Sequence, residues 1–313
     1  MCPSGAAALG GHVLHDKERP MKLPQGILLT LLVGLLAIGV TATAQLHTSV
    51  ASVFEIGVGA RALGLGNAFA GLADDETATS HNPAGLASIN GLAISSYFDL
   101  RFSSYTVLSL CLGTRSFGAA FLQLDSGAID AVDIDGNPVD GSHYVSRGVI
   151  LSGGFTPLRS LSVGAKLKLF QSSFQDLHGY AGSLSPALLF EVERVFRLGM
   201  VFENLLATTV YYSSGHTEHW CRDVRVGAAI IIGELIVSVE AENILTLRGA
   251  ARLPHVHIGM EGRLPPLCLR AGINQNMLTA GVGIEWGAFR LDYATEIHFT
   301  IPMTHRLAFT ILL

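Results

Sequence analysis

Apolar and polar residues alternate with a period of two from position 92 to the end of the chain, in runs separated by turn residues. The clearest run, residues 162–170, places four aliphatic side chains on one parity and Lys166 and Lys168 on the other. Because successive side chains of a strand point to opposite faces, this run predicts a strand with an aliphatic face and a basic face.

Three later runs, at residues 235–242, 267–274 and 289–293, also keep their charged residues on one parity. In a membrane barrel such strands turn the apolar face to lipid and the polar face to the lumen. The pattern therefore predicts lumen-facing side chains at Lys166, Lys168, Glu240, Glu242, Arg270, Arg290 and Asp292. The last run, residues 305–313, is amphipathic, as expected of a strand that closes a barrel on its first strand.

Composition separates a membrane barrel from a soluble β-sandwich, which also alternates. The chain is 49% hydrophobic and 14% charged, whereas a soluble domain carries about 25% charged residues. Beyond residue 44, no segment has the roughly 20 uninterrupted apolar residues of a spanning helix. We therefore expect an all-β protein, a transmembrane antiparallel β-barrel, whose roughly 220 residues supply about 12–14 strands. The net charge of −5 gives no reason to expect a nucleic-acid partner.

The N-terminus reads as a secretory leader. Met21-Lys22 precedes an apolar core at residues 27–40 and the small-x-small sequence Ala42-Thr43-Ala44, which predicts a signal peptide at 21–44. The alternative, an uncleaved anchor, needs about 20 apolar residues. We expect a leader at 1–44, an N-terminal segment at 45–91 and a barrel at 92–313, located in the bacterial outer membrane.

Residues 57–87 are too rich in glycine for a stable helix and too apolar for an exposed linker. Leu63, Leu65 and Phe69 need burial, and the glycines allow the backbone to press against a wall. The segment is therefore predicted to be a short plug in the barrel lumen. Its acidic triplet, Asp74 to Glu76, either begins a turn or helix or pairs with a cation or with lumen arginines.

The glycine-rich run at 59–66, the acidic pair and the run at 82–87 resemble the opening motif of the PorV/PorQ family of outer-membrane proteins. The matched positions are Gly59, Arg61, Gly64, Gly66, Asp74, Asp75, Asn82, Pro83 and Gly85. The resemblance implies a FadL-like barrel of about 14 strands. It also implies contact with outer-membrane lipid and the barrel-assembly machinery, and with secretion-system components or secreted cargo.

Two functions follow from this resemblance. The first is a non-enzymatic role in envelope traffic, such as type IX protein secretion or cargo reception. The alternative is FadL-like passive transport of hydrophobic small molecules.

Signals for other chemistry are weak. The chain has no G-x-S-x-G elbow, P-loop or H-E-x-x-H motif. The histidine pairs at 216–219 and 255–257 lack a third ligand, and the acidic run at 133–140 lacks the glutamate of a calcium loop. No catalytic residue, cofactor or metal is expected.

A weak internal repeat is also present. Residues 202–206 echo residues 241–245, and glycine follows an aliphatic residue at Gly164, Gly227, Gly259 and Gly283. Such recurrence favours repeated hairpins.

Overall fold

A computed structural model of the chain describes residues 53–102, 104–132, 138–245 and 254–313. The predicted signal peptide at 21–44 lies outside these residues, as does most of the acidic run that was considered as a calcium loop. Within the described part of the chain, no helix has the length and hydropathy needed to cross a membrane.

The described residues form one antiparallel sheet that closes on itself, with β17 paired to β1 and Ser95 opposite Thr310. Its strands are β1 Leu92–Arg101, β2 Tyr105–Thr114, β3 Phe117–Val132, β4 Pro138–Leu158, β5 Leu161–Phe174, β6 Leu177–Val192, β7 Phe196–Glu203, β8 Leu206–Ala207, β9 Thr209–Tyr212, β10 Thr217–His219, β11 Asp223–Ile232, β12 Leu235–Glu242, β13 His255–Leu264, β14 Leu267–Asn274, β15 Met277–Trp286, β16 Phe289–Ile297 and β17 Thr304–Leu312. The architecture is a closed 14-strand barrel, because β8, β9 and β10 are short additions between β7 and β11. The predicted fold class is confirmed.

The two ends of the barrel differ. The chain enters β1 and leaves β17 at one end, where the connections have two or three residues, such as 115–116 and 159–160. We call this the turn end. The opposite end, the loop end, carries the long connections from β7 to β11 and from β12 to β13. Outer-membrane barrels have the same asymmetry, with short periplasmic turns and longer outer loops.

Strand parity sorts the side chains as the alternation predicts. In β5, Leu167 is 40% exposed, while its neighbours Lys166 and Lys168 are buried. In β14, Leu269 is 50% exposed and Arg270 is buried. The outside of the wall is therefore apolar and the inside polar, the reverse of a soluble protein and the arrangement that a bilayer requires.

The N-terminal segment fills part of the lumen as a plug, defined here as residues 53–91. It contains 3-10 turns at Val53–Ile56, Glu76–Thr79 and Pro83–Ser88 and one short helix at Ala60–Gly64. That helix makes the segment more regular than its glycine content predicts. Leu63, Leu65 and Phe69 are fully buried, and they pack with inward-facing apolar residues of the wall such as Val107 and Ile236.

Candidate functional site

The plug is seated by close contact between backbones, which glycine makes possible. At Gly66, a Cβ atom would lie 2.5 Å from the carbonyl oxygen of Ile273, and the φ of +63° is one that L side chains rarely adopt. At Gly71, a Cβ atom would lie 2.7 Å from the carbonyl carbon of Gly227 in β11. Three of the four recurrent strand glycines, at 164, 227 and 259, face plug atoms in this way, whereas Gly283 faces the side chains of Asp292 and Arg270. The recurrent glycines therefore belong in part to the seat of the plug.

A chain of ion pairs ties the plug to the wall. The Arg61 guanidinium donates to Glu261 of β13 at 2.8 and 3.0 Å and to Asp74 and Asp75 at 2.6 and 3.0 Å. Glu261 also accepts from Arg270 of β14 at 2.7 Å. Charged groups at this depth need close partners, and here each has one, with the pair of Arg61 and Glu261 crossing from the plug to the wall.

The chain of charges continues to a second plug contact. Arg270 donates to Asp292 at 2.6 Å, and Asp292 lies 3.0 Å from Arg290. Arg290 in turn donates to Glu76 of the plug at 2.8 Å.

Glu76 is held ionised. Burial disfavours its carboxylate, but Arg290 and the hydroxyl groups of Ser95 and Tyr97 outweigh that effect and lower the pKa of Glu76 from its usual value. The acidic triplet therefore pairs with lumen arginines and also begins a turn, because the Asp75 side chain accepts from the Thr77 backbone N–H at 2.9 Å. The triplet thus shows both arrangements that the sequence left open, the start of a turn and the pairing with lumen arginines.

Wall side chains also bind the plug backbone. The Glu240 carboxylate accepts from the N–H groups of Phe69 and Ala70 at 2.8 and 2.6 Å. Arg306 of β17, paired with Asp99 of β1, donates to the carbonyl oxygen of Gly59 at 3.0 Å. These bonds satisfy backbone groups that cannot reach water inside the barrel.

The run at 82–87 is a second anchor. The Asn82 side chain accepts from the Ala84 N–H and donates to the carbonyl oxygens of Ala70 in the plug and Leu188 in β6. Pro83 opens the turn at Pro83–Ser88. The residues that carry the family resemblance thus belong to the seat of the plug.

A cavity of about 510 Å³ lies between the plug and the loop end of the barrel. Gly57, Asn67 and His81 of the plug contribute to its floor, and it reaches exposed residues near Gln275 and Ile301 at the loop end. Its size is within the range of about 300–1,000 Å³ that is typical of small-molecule sites. This cavity is the candidate functional site.

Paired charges line one side of the cavity. The Glu203 carboxylate accepts from Lys166 at 2.6 Å and from Lys168 at 2.8 Å. Lys166 also donates to the carbonyl oxygen of Ser80 in the plug. On the next strands, Arg225 lies 2.8 Å from Glu242 and 3.3 Å from Glu240.

The two copies of the Glu-Asn repeat both line this cavity. Glu203 and Glu242 end β7 and β12, and the asparagines that follow them, Asn204 and Asn243, have φ values of +53° and +55°. Asparagine tolerates this left-handed backbone better than most residues. The repeat therefore marks strand ends that bring a carboxylate and an amide to the cavity.

An aromatic corner adjoins the charges. The rings of Phe54 and Trp220 have centroids 5.9 Å apart, and Phe170 lies 5.9 Å from Trp220. The Lys168 ammonium lies 5.7 Å from the Phe54 ring and 5.6 Å from the Trp220 ring, within the range of cation–π contact.

The structure brings the sequence-predicted residues together at two levels. Arg61, Glu240, Arg270, Arg290 and Asp292 lie in the plug seat, whereas Lys166, Lys168 and Glu242 lie at the cavity. All are buried except Glu242, which is half-buried.

Sequence reasoning missed other residues of the site. Arg306, Asp99 and Glu261 occupy the polar parity of their strands, and the parity rule could have found them. Phe54 and Trp220 lie in stretches without periodicity, which gave no signal.

No metal site emerges from the part of the chain that the structure covers, where no three His, Cys, Asp or Glu side chains are placed to hold an ion. Cys111 and Cys268 are free thiols, and both are buried, as is Cys221. His81 is held neutral, because burial lowers the pKa of its imidazole to about 4.

Solved structures similar to this barrel include a toluene transporter, a hydrocarbon channel and a FadL homologue. The toluene transporter TbuX of Ralstonia pickettii is 15% identical, with a TM-score of 0.61 over 82% of this chain and 98% of its own. The monoaromatic hydrocarbon channel CymD is 12% identical, with a TM-score of 0.58 over 82% and 98%. A FadL homologue of Pseudomonas aeruginosa is 9% identical, with a TM-score of 0.51 over 79% and 97%.

At these identities the comparison shows the fold, which is that of the FadL-type barrels of bacterial outer membranes. No protein-family model and no curated protein sequence matches the chain. Membership of the PorV/PorQ family therefore stays a prediction.

Proposed function

We propose that this protein is a passive transporter of the outer membrane that admits hydrophobic small molecules, in the manner of FadL-type barrels. The observation that carries the proposal is the cavity of about 510 Å³ above a seated plug. A plugged lumen with a small-molecule cavity suits a ligand that enters at the loop end and binds before it passes on. The toluene and hydrocarbon transporters with the same fold support this assignment.

Secretion of the type IX kind, or reception of secreted cargo, is the second candidate. It is supported by the resemblance to the PorV/PorQ motif at 59–66, 74–75 and 82–87. Those residues hold the plug in the lumen, and a plug is compatible with both transport and secretion. The motif therefore does not distinguish between these two functions. The cavity favours transport, because a protein cargo needs a docking surface and has no use for an internal pocket of this size.

Uptake by intact cells tests the proposal. Radiolabelled toluene and radiolabelled phenol are supplied, in separate assays, to a Gram-negative host that lacks its own transporters of this fold, with and without the protein. Met277→Trp narrows the cavity at the loop end, and Leu278→Trp places the same ring on the outer face, where Leu278 is 48% exposed. We expect uptake with the wild type and with Leu278→Trp, and uptake near the host level with Met277→Trp.

Equal uptake with and without the protein would contradict the transport function. A gene deletion in the native host covers the second candidate. Loss of surface-exposed secreted proteins, with toluene uptake unchanged, would favour secretion.

A further inference from the structure

The chemistry of the cavity is unusual for a hydrocarbon site. Every lysine and arginine that lines it has a carboxylate within 4.0 Å among the described residues. Lys166 and Lys168 share Glu203, Arg225 lies beside Glu242, and Arg101 lies 4.0 Å from Glu296. A hydrocarbon that displaced water from these groups would give them no replacement hydrogen bond, which is unfavourable.

The same pairing argues against a carboxylate ligand. The Glu203 carboxylate accepts hydrogen bonds from both lysines, and the Arg225 guanidinium lies beside both Glu240 and Glu242. A ligand carboxylate would have to displace one of these glutamates or lie against it. Since like charges in a partly dry site repel strongly, an uncharged ligand fits the cavity better than an anion.

Uncharged hydrogen-bonding groups are plentiful at the cavity. Five side-chain amides line it: Asn67, Asn204, Asn243, Asn274 and Gln275. Amides donate and accept, as the hydroxyl group of a ligand does. Asn204, Asn274 and Gln275 already bond to protein groups, so a neutral polar ligand would use the donors and acceptors that these amides have left.

Five lining side chains contain a buried polar atom with no hydrogen-bond partner in the described parts of the chain. Two of these atoms, Nε of Arg225 and Nε2 of His257, still lie 3.3 and 3.8 Å from a glutamate carboxylate, and the other three have no such neighbour among the described residues. They are Oδ1 of Asn67, Nδ1 of His81 and Nε1 of Trp220. Nε2 of His81 faces the carbonyl oxygen of Val58 at 2.9 Å and must donate to it, so Nδ1 of the neutral ring is an acceptor. Buried polar atoms without partners are rare and ask for an explanation. A hydroxyl group, both donor and acceptor, can satisfy either kind.

The aromatic corner supplies the apolar half of the site. Phe54 and Trp220 line the cavity, and Phe170 packs behind Trp220. Flat ligands pack well against aromatic rings. The cavity therefore offers aromatic rings and neutral hydrogen-bonding groups in addition to its paired charges.

We propose that the cavity selects uncharged ring compounds that carry a hydroxyl group, of the phenol class, over hydrocarbons and carboxylates of similar size. This inference rests on the proposed function, because it treats the cavity as the ligand site of a transporter. It adds the substrate class of that site.

Binding to the purified full-length protein in detergent tests the selectivity without transport. The chain has two tryptophans: Trp220 at the cavity and Trp286 on the outer face, 83% exposed. Trp286→Phe leaves Trp220 as the single reporter, and its fluorescence is titrated with phenol, anisole, toluene and benzoate. Anisole keeps the ring and the oxygen but has no donor.

We expect phenol to bind at least about tenfold more tightly than anisole, toluene or benzoate, the effect of about one well-made hydrogen bond. Trp220→Phe keeps a ring and removes the N–H, so calorimetry should show weaker phenol binding with toluene binding unchanged. Trp286→Phe is the matched control and should bind phenol as the wild type does.

Equal binding of phenol and anisole, tightest binding of benzoate, or no binding of any probe would overturn the proposal. If Trp220→Phe fails to fold, the binding of the four probes to the protein with an unchanged cavity still tests the proposal. Hydrocarbon uptake by cells without phenol selectivity would leave the transport function and remove this inference. Selective phenol binding without uptake of either compound would do the opposite.

Discussion

At the residue scale, adjacent positions of one strand face different environments, the lipid outside the barrel and the polar lumen inside it. Leu167 of β5 faces outward, and Lys168 faces Glu203 and the aromatic corner. The parity of a residue therefore decides what a substitution does, more than its chemical type.

A matched pair of arginine substitutions tests this parity. Leu167→Arg places a charge in lipid and should cost about 2–4 kcal/mol near the bilayer midplane. Lys168→Arg keeps a cation beside Glu203 and should leave assembly nearly unchanged. Folding yield into lipid vesicles measures both. Equal yields would show that the register of β5 is wrong.

His81 gives the plug a dependence on pH. Burial holds its folded pKa at about 4, below the ordinary value, while Arg225 and Lys166 disfavour the charged ring and Asp75 favours it. Because the pKa of His81 is lower in the folded protein than the value of about 6.5 in the unfolded chain, the neutral ring contributes stability at pH values above 6.5. This contribution is lost as the pH falls from 6.5 towards 4.

Acidification from pH 7.5 to 4.5 should therefore lower the unfolding free energy through His81 by roughly 2–3 kcal/mol. His81→Gln removes the titrating group and keeps a donor for Val58. The measurement is denaturant unfolding in lipid at both pH values. The loss should be smaller in the variant by about this amount, and an identical loss would exclude His81 as its source.

At the scale of elements, the plug is held by shape and by charge. Gly66 and Gly71 let its backbone touch β14 and β11, and Arg61 and Glu76 anchor it to wall ions. The two kinds of contact make separate predictions.

Overpacking tests the fit of shapes. Gly66→Leu adds a side chain where a Cβ already meets the wall at 2.5 Å, and it also strains a positive φ, so a loss of about 1–3 kcal/mol is expected. Gly262→Leu is the control, because nothing lies within 4 Å of its Cβ position. Protease sensitivity of residues 57–87 and channel conductance should both rise in Gly66→Leu alone.

A double-mutant cycle tests the ion pair between the plug and the wall. Arg290→Met leaves Glu76 buried without its cation, a change that typically costs about 3–5 kcal/mol. Adding Glu76→Gln removes the stranded charge and should recover part of that loss. Unfolding free energies of the four proteins give the coupling. Additive losses would mean that the pair does not act as a unit.

Local sequence patterns predict the elements of this barrel but not the contacts between distant elements. Alternation is local, so it predicted the strands, their faces and the placement of Lys166 beside Lys168. It could not pair Arg306 with Asp99 or Arg61 with Glu261, because partners some 200 residues apart meet only when the barrel closes. Phe54 and Trp220 come from segments without a period, so the aromatic corner had no local signature.

At the scale of the whole molecule, one glycine-rich segment completes the barrel. Plug residues and inward-facing apolar wall residues form the core together, and a cavity remains at the loop end. We therefore expect residues 59–89 to be seated in the lumen as firmly as the wall around them.

Hydrogen–deuterium exchange of the native protein in lipid, read by peptide mass spectrometry, tests this claim most directly. The N–H groups of Phe69 and Ala70 donate to the buried carboxylate of Glu240, so peptides spanning them should exchange as slowly as those of β12 and β14. Exchange of residues 59–89 within seconds, at the rate of exposed loops, would contradict the account.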